Sequence, residues 1–216
     1  PNTVTSASAA PTPERTPSAN SSPPPGQSGA VAMGGSSELI ERFGKIPSAN
    51  IGDGMDRLGL MDAGIGPIWA GATLVGPAFT CWTRSGDNLW IHNAIDAASE
   101  GDVIVVNGSG DLTRALIGEL IAARAKAKGI AGFVIDGAVR DADGMRDYGM
   151  PVFARAITPA GPCKNGPGRL GVTVAVGGVA VSPGDIIVGD ADGVAVVPQA
   201  DAQSIAAAAE GVQSHE

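Results

Sequence analysis

Two short apolar runs rich in β-branched residues, 103–106 and 132–135, flank a stretch, 116–128, whose apolar residues recur at helical spacing and which Gly129 closes. Strands placed this close around a helix pair in parallel, because a parallel pair needs a crossover and the helix supplies it. Such a unit commits the chain to an α/β architecture. It also fixes where chemistry can sit, since ligands of parallel sheets settle beyond the strand ends. Glu119 stands near the start of the helix, and Arg140 and Asp141 follow the second strand, so twenty intervening residues are expected to bring two carboxylates and one guanidinium to a single crevice.

The flanking sequence extends this class. Helices are expected over 38–43, over 48–58 with Ser48-Ala49-Asn50 as its cap and Gly59 as its stop, and over 89–98. Strands are expected at 72–75, 78–83 and 151–156, a short helix at 142–148, and a Gly/Pro-rich loop at 163–170. The last third carries β-branched runs at 172–176, 179–181, 185–188 and 194–197, separated by Gly177-Gly178, Pro183-Gly184 and Asp190-Ala191-Asp192-Gly193, before a terminal helix at 201–211. The result is one α/β domain over 37–216, with a central βαβ unit and a β-rich C-terminal third. Residues 1–36 hold seven prolines and no aromatic residue, which predicts a disordered tail or leader, with Met33-Gly34-Gly35-Ser36 as a candidate natural start behind an added leader.

The net charge of −8 argues against direct contact with nucleic acid. No window has transmembrane length and no signal-peptide pattern opens the chain, so a cytoplasmic protein without membrane contact is expected. Two distant cysteines, Cys81 and Cys163, match no disulfide or zinc pattern and agree with a reducing compartment. Cys81 reads as core, and Cys163 has no neighbouring base in sequence.

The residue types in the crevice suit an anionic, metal-bound substrate. Asp and Glu are hard oxygen donors for Mg²⁺ or Mn²⁺, which commonly take one or two protein carboxylates and leave other positions to substrate and water. The planar fork of Arg140 can grip a carboxylate or neutralise a developing oxyanion. The backbone of Gly118, Glu119, Leu120 and Ile121, at a helix start, can hold an anion. Taken singly, an Arg-Asp pair is more often a surface salt bridge; the buried strand leading into this turn favours a site. Elsewhere, His92 reads as a packed or capping residue, Lys126 and Lys128 as exposed charges in a last helical turn, Lys164 as a solvated loop lysine, and Asp190 and Asp192 as turn formers. Gly108-Ser109-Gly110 lacks the third glycine of a dinucleotide fingerprint.

The segments Gly101-Asp102-Val103-Ile104-Val105-Val106, Gly118-Glu119-Leu120, Ala125-Lys126-Ala127-Lys128-Gly129 and Asp136-Gly137-Ala138-Val139-Arg140-Asp141 resemble the RraA-like family. That family includes 4-hydroxy-4-methyl-2-oxoglutarate/4-carboxy-4-hydroxy-2-oxoadipate aldolases and the regulators of ribonuclease activity. The resemblance implies a swivelling β/β/α-type fold, a trimer or hexamer with sites between subunits, and a divalent-metal-dependent lyase on small 2-oxo acids that releases pyruvate. It also implies roles. Asp141 would bind the metal directly and Glu119 through water, Arg140 would contact the 2-oxo acid, and the amides of residues 118–121 would hold its carboxylate. Glu216 would reach a neighbouring subunit's metal. Glu119 departs from the aspartate of the best-known aldolases. The alternative within the family is a non-catalytic protein that binds and inhibits a ribonuclease.

Overall fold

The computed structural model describes residues 34–215, with side chains from residue 37 onward. The tail expected over 1–36 falls largely outside the described residues, as does Glu216.

In chain order the elements are α1 (Gly34–Phe43), α2 (Ser48–Gly54), β1 (Gly66–Pro67), β2 (Leu74–Thr83), α3 (Leu89–Ala97), β3 (Val103–Ala115), α4 (Glu119–Ala127), β4 (Gly132–Val139), α5 (Ala142–Asp147), β5 (Val152–Ile157), β6 (Gly168–Leu170), β7 (Val174–Val176), β8 (Val179–Val181), β9 (Ile186–Asp190), β10 (Gly193–Val197) and α6 (Ala202–Gln213). The main sheet runs β1-β5-β4-β3-β2-β9-β10, with β6 beside the far half of β2, while β7 and β8 form a separate hairpin. The expected crossover is present: β3 and β4 pair in parallel from Val103 opposite Gly132 to Asn107 opposite Asp136. Strands β2 and β5 extend the parallel block on either side.

Alternation along each buried strand sorts its residues between two cores. Ile104, Val106, Phe133, Ile135 and Val152 pack with Ile91, Ile95, Ala122 and Ala125 of α3 and α4. Val103, Val105, Val134 and Phe153 face the other way and meet Val174, Val176 and Val181 of the hairpin. A third core joins α1, α2 and α6 to β9 and β10. The centre is therefore layered hairpin, sheet, helices.

Several elements differ from the expectation for identifiable reasons. The second helix stops at Gly54 rather than 58, because Asp56 and Arg57 adopt left-handed backbone. Ser48 does not cap it through its side chain: its N–H and hydroxyl donate to Asp190 at 2.7 and 2.6 Å, and Asp190 also forms its turn by accepting from Asp192 N–H at 3.0 Å. The strands expected at 72–75 and 78–83 fuse through Gly76-Pro77 into β2. Here the glycine is steric, since a Cβ on Gly76 would run into the Gly101 carbonyl. The first strand of the crossover continues to Ala115, still paired with β4 across two register shifts. Consequently α4 begins at Glu119; Leu116 and Ile117 are core residues of the strand exit, their apolar spacing mimicking a helix. The loop expected at 163–170 contains β6.

Asp87 is the polar anchor of this end of the fold. Its fully buried carboxylate accepts from Leu89 N–H (3.0 Å) at the start of α3, and from the N–H groups of Asn165 (2.8 Å) and Gly166 (2.7 Å). Burial pushes its pKa up, but these backbone N–H groups and the Arg84 guanidinium more than offset this and hold it below the usual carboxylate range. A depressed folded pKa contributes stability above the unfolded value of about 3.9 that is lost as pH falls through the folded value. Asp87→Asn should therefore destabilise the protein at pH 7 by about 2–4 kcal/mol. In urea unfolding at pH 7 and pH 3, the variant should also lose less stability on acidification than the parent.

Candidate active site

The exits of β3 and β4 are tied together by two backbone bonds, Leu116 N–H to the Ala138 carbonyl (2.8 Å) and Arg140 N–H to the Ile117 carbonyl (3.0 Å). These bonds place residues 140 and 141 against the start of α4. Asp141 is left-handed, with φ of 58°, a conformation aspartate tolerates better than most residues. Its Oδ2 accepts from Glu119 N–H at 3.3 Å and lies 3.4 Å from Arg140 Nε. Gly118 makes this possible. Its backbone is extended, so the need is for space: a Cβ would overlap Asp141 Oδ2 and stand 3.0 Å from Arg140 Nε. The glycine admits the carboxylate to the helix N-terminus, where the dipole favours negative charge.

Beside this turn lies a cleft of about 350 Å³. Its walls include Gly118, Leu120, Ile121, Arg140 and Asp141, five of the residues singled out in the sequence. The Glu119 side chain is exposed and lies against Gly144 of α5. The cleft also gathers residues the sequence reading set aside or passed over: Asn88, His92, Arg124 and Lys164. Asn88 is 2% exposed; its Nδ2 donates to the Leu116 carbonyl at 3.1 Å, while its Oδ1 is buried without a partner. His92 is not a packed core histidine. Its Nδ1 lies 3.2 Å from an Arg124 guanidinium nitrogen, and its Nε2 is buried and unpartnered. With Nδ1 accepting from Arg124, the ring proton resides on Nε2. Burial, then the charges of Lys164 and Arg124, lower its pKa and favour the neutral ring.

The remaining acids and thiols are committed elsewhere. Asp136, inside the motif before Arg140, is bound to Arg155, which also grips Asp62 at 3.0 and 2.9 Å. Lys128 caps the end of α3 through the Ile95 carbonyl at 2.6 Å, and Lys126 reaches the Gly149 carbonyl at 3.1 Å, so neither is a purely solvated charge. Burial pushes the Cys81 thiol up to about 12, as befits a core residue. Cys163 does have a polar neighbour, the Arg114 guanidinium at 2.8 Å.

Among the described residues no group of three or more His, Cys, Asp or Glu forms a ready metal cage. The donor chemistry nevertheless fits a hard divalent ion. Among the described residues the Asp141 side chain accepts at Oδ2 alone, it is 39% exposed, and Glu119 adjoins it in the same turn. One or two carboxylates with water and substrate completing the shell is the usual arrangement for Mg²⁺.

Residues 48–196 match the RraA-like family, described as Aldolase/RraA. A Halalkalibacterium halodurans protein, provisionally named a 4-hydroxy-4-methyl-2-oxoglutarate aldolase, is 43% identical over 168 residues, covering 78% of this chain and 80% of that protein. Streptomyces coelicolor RraAS2, an unusual member of the RNase ES inhibitor RraA family, superposes with a TM-score of 0.74 at 31% identity over 82% of this chain and 93% of that one. The RNA-processing inhibitor RraA from Thermus thermophilis gives 0.66 at 30% identity over 72% and 94%. Among the described residues no helix is long and apolar enough to cross a membrane. The expected fold and the expected kinship are both found: the chain is a mixed α/β domain and belongs to the RraA-like family.

Proposed function

We propose that the protein is a divalent-metal-dependent carbon–carbon lyase that cleaves 4-hydroxy-4-methyl-2-oxoglutarate-like 2-oxo acids and decarboxylates oxaloacetate, releasing pyruvate. The observation that carries this reading is the juxtaposition, at one helix N-terminus, of the Asp141 carboxylate and the Arg140 guanidinium, both on a cleft large enough to admit a small diacid. The aldolase name of the Halalkalibacterium halodurans relative supports it.

Asp141, with Glu119 through water, would hold Mg²⁺ or Mn²⁺, which would supply Lewis-acid polarisation of the 2-oxo acid. Arg140 binds the substrate end and offsets charge as it gathers on the carbonyl oxygen. The N–H of Leu120, in the first helical turn where no intrahelical acceptor exists, is available to a carboxylate. Cleavage moves the C3–C4 electron pair into the enolate of pyruvate, while the C4 hydroxyl loses its proton and becomes a carbonyl. Protonation at C3 completes the second product. A water beside the acids carries these protons. Asn88 Oδ1 is buried beside the cleft without a donor among the described residues, and a substrate hydroxyl would supply one on a small shift of the wall. Lys164, Arg124 and the Nε2–H of His92 suit a second carboxylate. This arrangement favours the hydroxylated diacid over oxaloacetate.

A trimer or hexamer with shared sites fits the 77% exposure of Leu120 at the cleft edge, which a neighbouring subunit would cover. A cytoplasmic location without nucleic-acid or membrane contact fits the acidic composition. The second reading, a non-catalytic protein that restrains a ribonuclease, is supported by the names of the Thermus and Streptomyces neighbours.

Excess chelator should abolish pyruvate release in a coupled assay, and Mg²⁺ or Mn²⁺ should restore it; full activity in chelator contradicts the metal requirement. A parent protein that releases no pyruvate with either metal but inhibits a ribonuclease supports the second reading. Arg140→Lys should keep metal affinity yet lower kcat by about a hundredfold, because a point charge replaces a fork. Asn88→Ala should lower kcat/KM for the hydroxy diacid by about tenfold while changing oxaloacetate decarboxylation by less than about threefold.

A further inference from the structure

Gly144 is the third residue of the six-residue α5, the helix that Asp141 opens, and it faces the first residue of α4. Its φ lies outside the left-handed region, so nothing in its backbone calls for glycine, and glycine is a poor residue for a helix. Its surroundings do call for it. A Cβ at 144 would stand 2.9 Å from Glu119 Cβ and 3.2 Å from Glu119 Cδ, and would occupy the place of Glu119 Oε2. The Cβ of Glu119 is held by its helix, while the carboxylate is the end that can swing. Any side chain at 144 therefore displaces the carboxylate. With aspartate at 119 the side chain would end one bond earlier, so the overlap with Oε2 would disappear while the 2.9 Å approach to the Cβ of residue 119 would remain.

We propose that Gly144 is a positioning residue for the Glu119 carboxylate, setting where that acid stands beside Asp141. The inference rests on the reading of Glu119 as an acid that serves the metal-binding turn. It makes the identities of residues 119 and 144 interdependent: a side chain at 144 crowds the longer acid at both its Cβ and its carboxylate, and the shorter acid mainly at its Cβ.

The test compares the full-length parent with Gly144→Ala, Glu119→Asp and the double variant. Mn²⁺ affinity is measured calorimetrically at a temperature where melts in chelator show all four to be folded, and pyruvate release is measured in parallel. Gly144→Ala should weaken Mn²⁺ binding by about tenfold, Glu119→Asp by no more than about threefold, and the double variant by clearly less than the product of the two losses. A parent that binds no Mn²⁺ would remove the metal reading of the site. A parent that binds it, with Gly144→Ala binding equally well or with the two changes simply additive, would overturn the positioning role of Gly144 alone.

Discussion

The Asp141 carboxylate resting on the N-terminus of α4 is the contact on which the active-site turn depends. It requires a left-handed aspartate at the end of β4, a glycine at 118 to leave room, and the parallel pairing of β3 with β4 that brings those points together. Each requirement is met by a different level of structure: a backbone conformation, a missing side chain and a sheet register. The Glu119 N–H and the N-terminal end of the helix face this carboxylate, and the neighbouring Arg140 supplies the opposite charge. A charge cluster of this kind has the pre-organisation that transition-state stabilisation needs, because its parts are fixed by buried strands rather than by surface loops.

The rest of the cleft is assembled from farther away. Asn88 and His92 come from the start of α3, Arg124 from the exposed side of α4, and Lys164 from the chain between β5 and β6. Asp87 holds two of these sources together by binding the start of α3 and the backbone of Asn165 and Gly166 with one carboxylate. Asn88 and His92, whose Oδ1 and Nε2 have no partner among the described residues, line the wall this anchor supports, with those two atoms buried behind its surface. Buried polar groups without partners are rare in folded proteins, and in a cleft they are the groups a ligand satisfies.

What the sequence made legible is what lies close together along it. The crossover, with Gly118, Arg140 and Asp141 at its mouth, could be read because strand, helix and strand are consecutive and their periods differ. The position of Glu119 was legible; the direction of its side chain was not, since that depends on the absence of a Cβ at Gly144, a residue in another helix. Asn88 and His92 were missed for a similar reason. Asp87-Asn88 before Leu89 is a helix-start signal, but that both neighbours of the cleft wall lie there is known only once α3 meets α4. The early start expected for α4 comes from Leu116 and Ile117, core residues whose spacing matches a helix while their backbone belongs to the strand exit; the early end expected for the first strand of the crossover comes from the polar, glycine-containing 107–114, which breaks the apolar run.

The family contains members named as aldolases and members named as inhibitors of RNA processing, so the chemistry of the turn has to be tested directly. Any lyase that leaves the enolate of pyruvate must also protonate that enolate, and by microscopic reversibility it removes a methyl proton from pyruvate itself. The decisive measurement is proton NMR of pyruvate in D₂O with the protein and Mg²⁺. The account predicts loss of the pyruvate methyl signal that stops in excess chelator and in Asp141→Asn. A methyl signal that persists with metal present, or exchange that continues undiminished in Asp141→Asn, would contradict it.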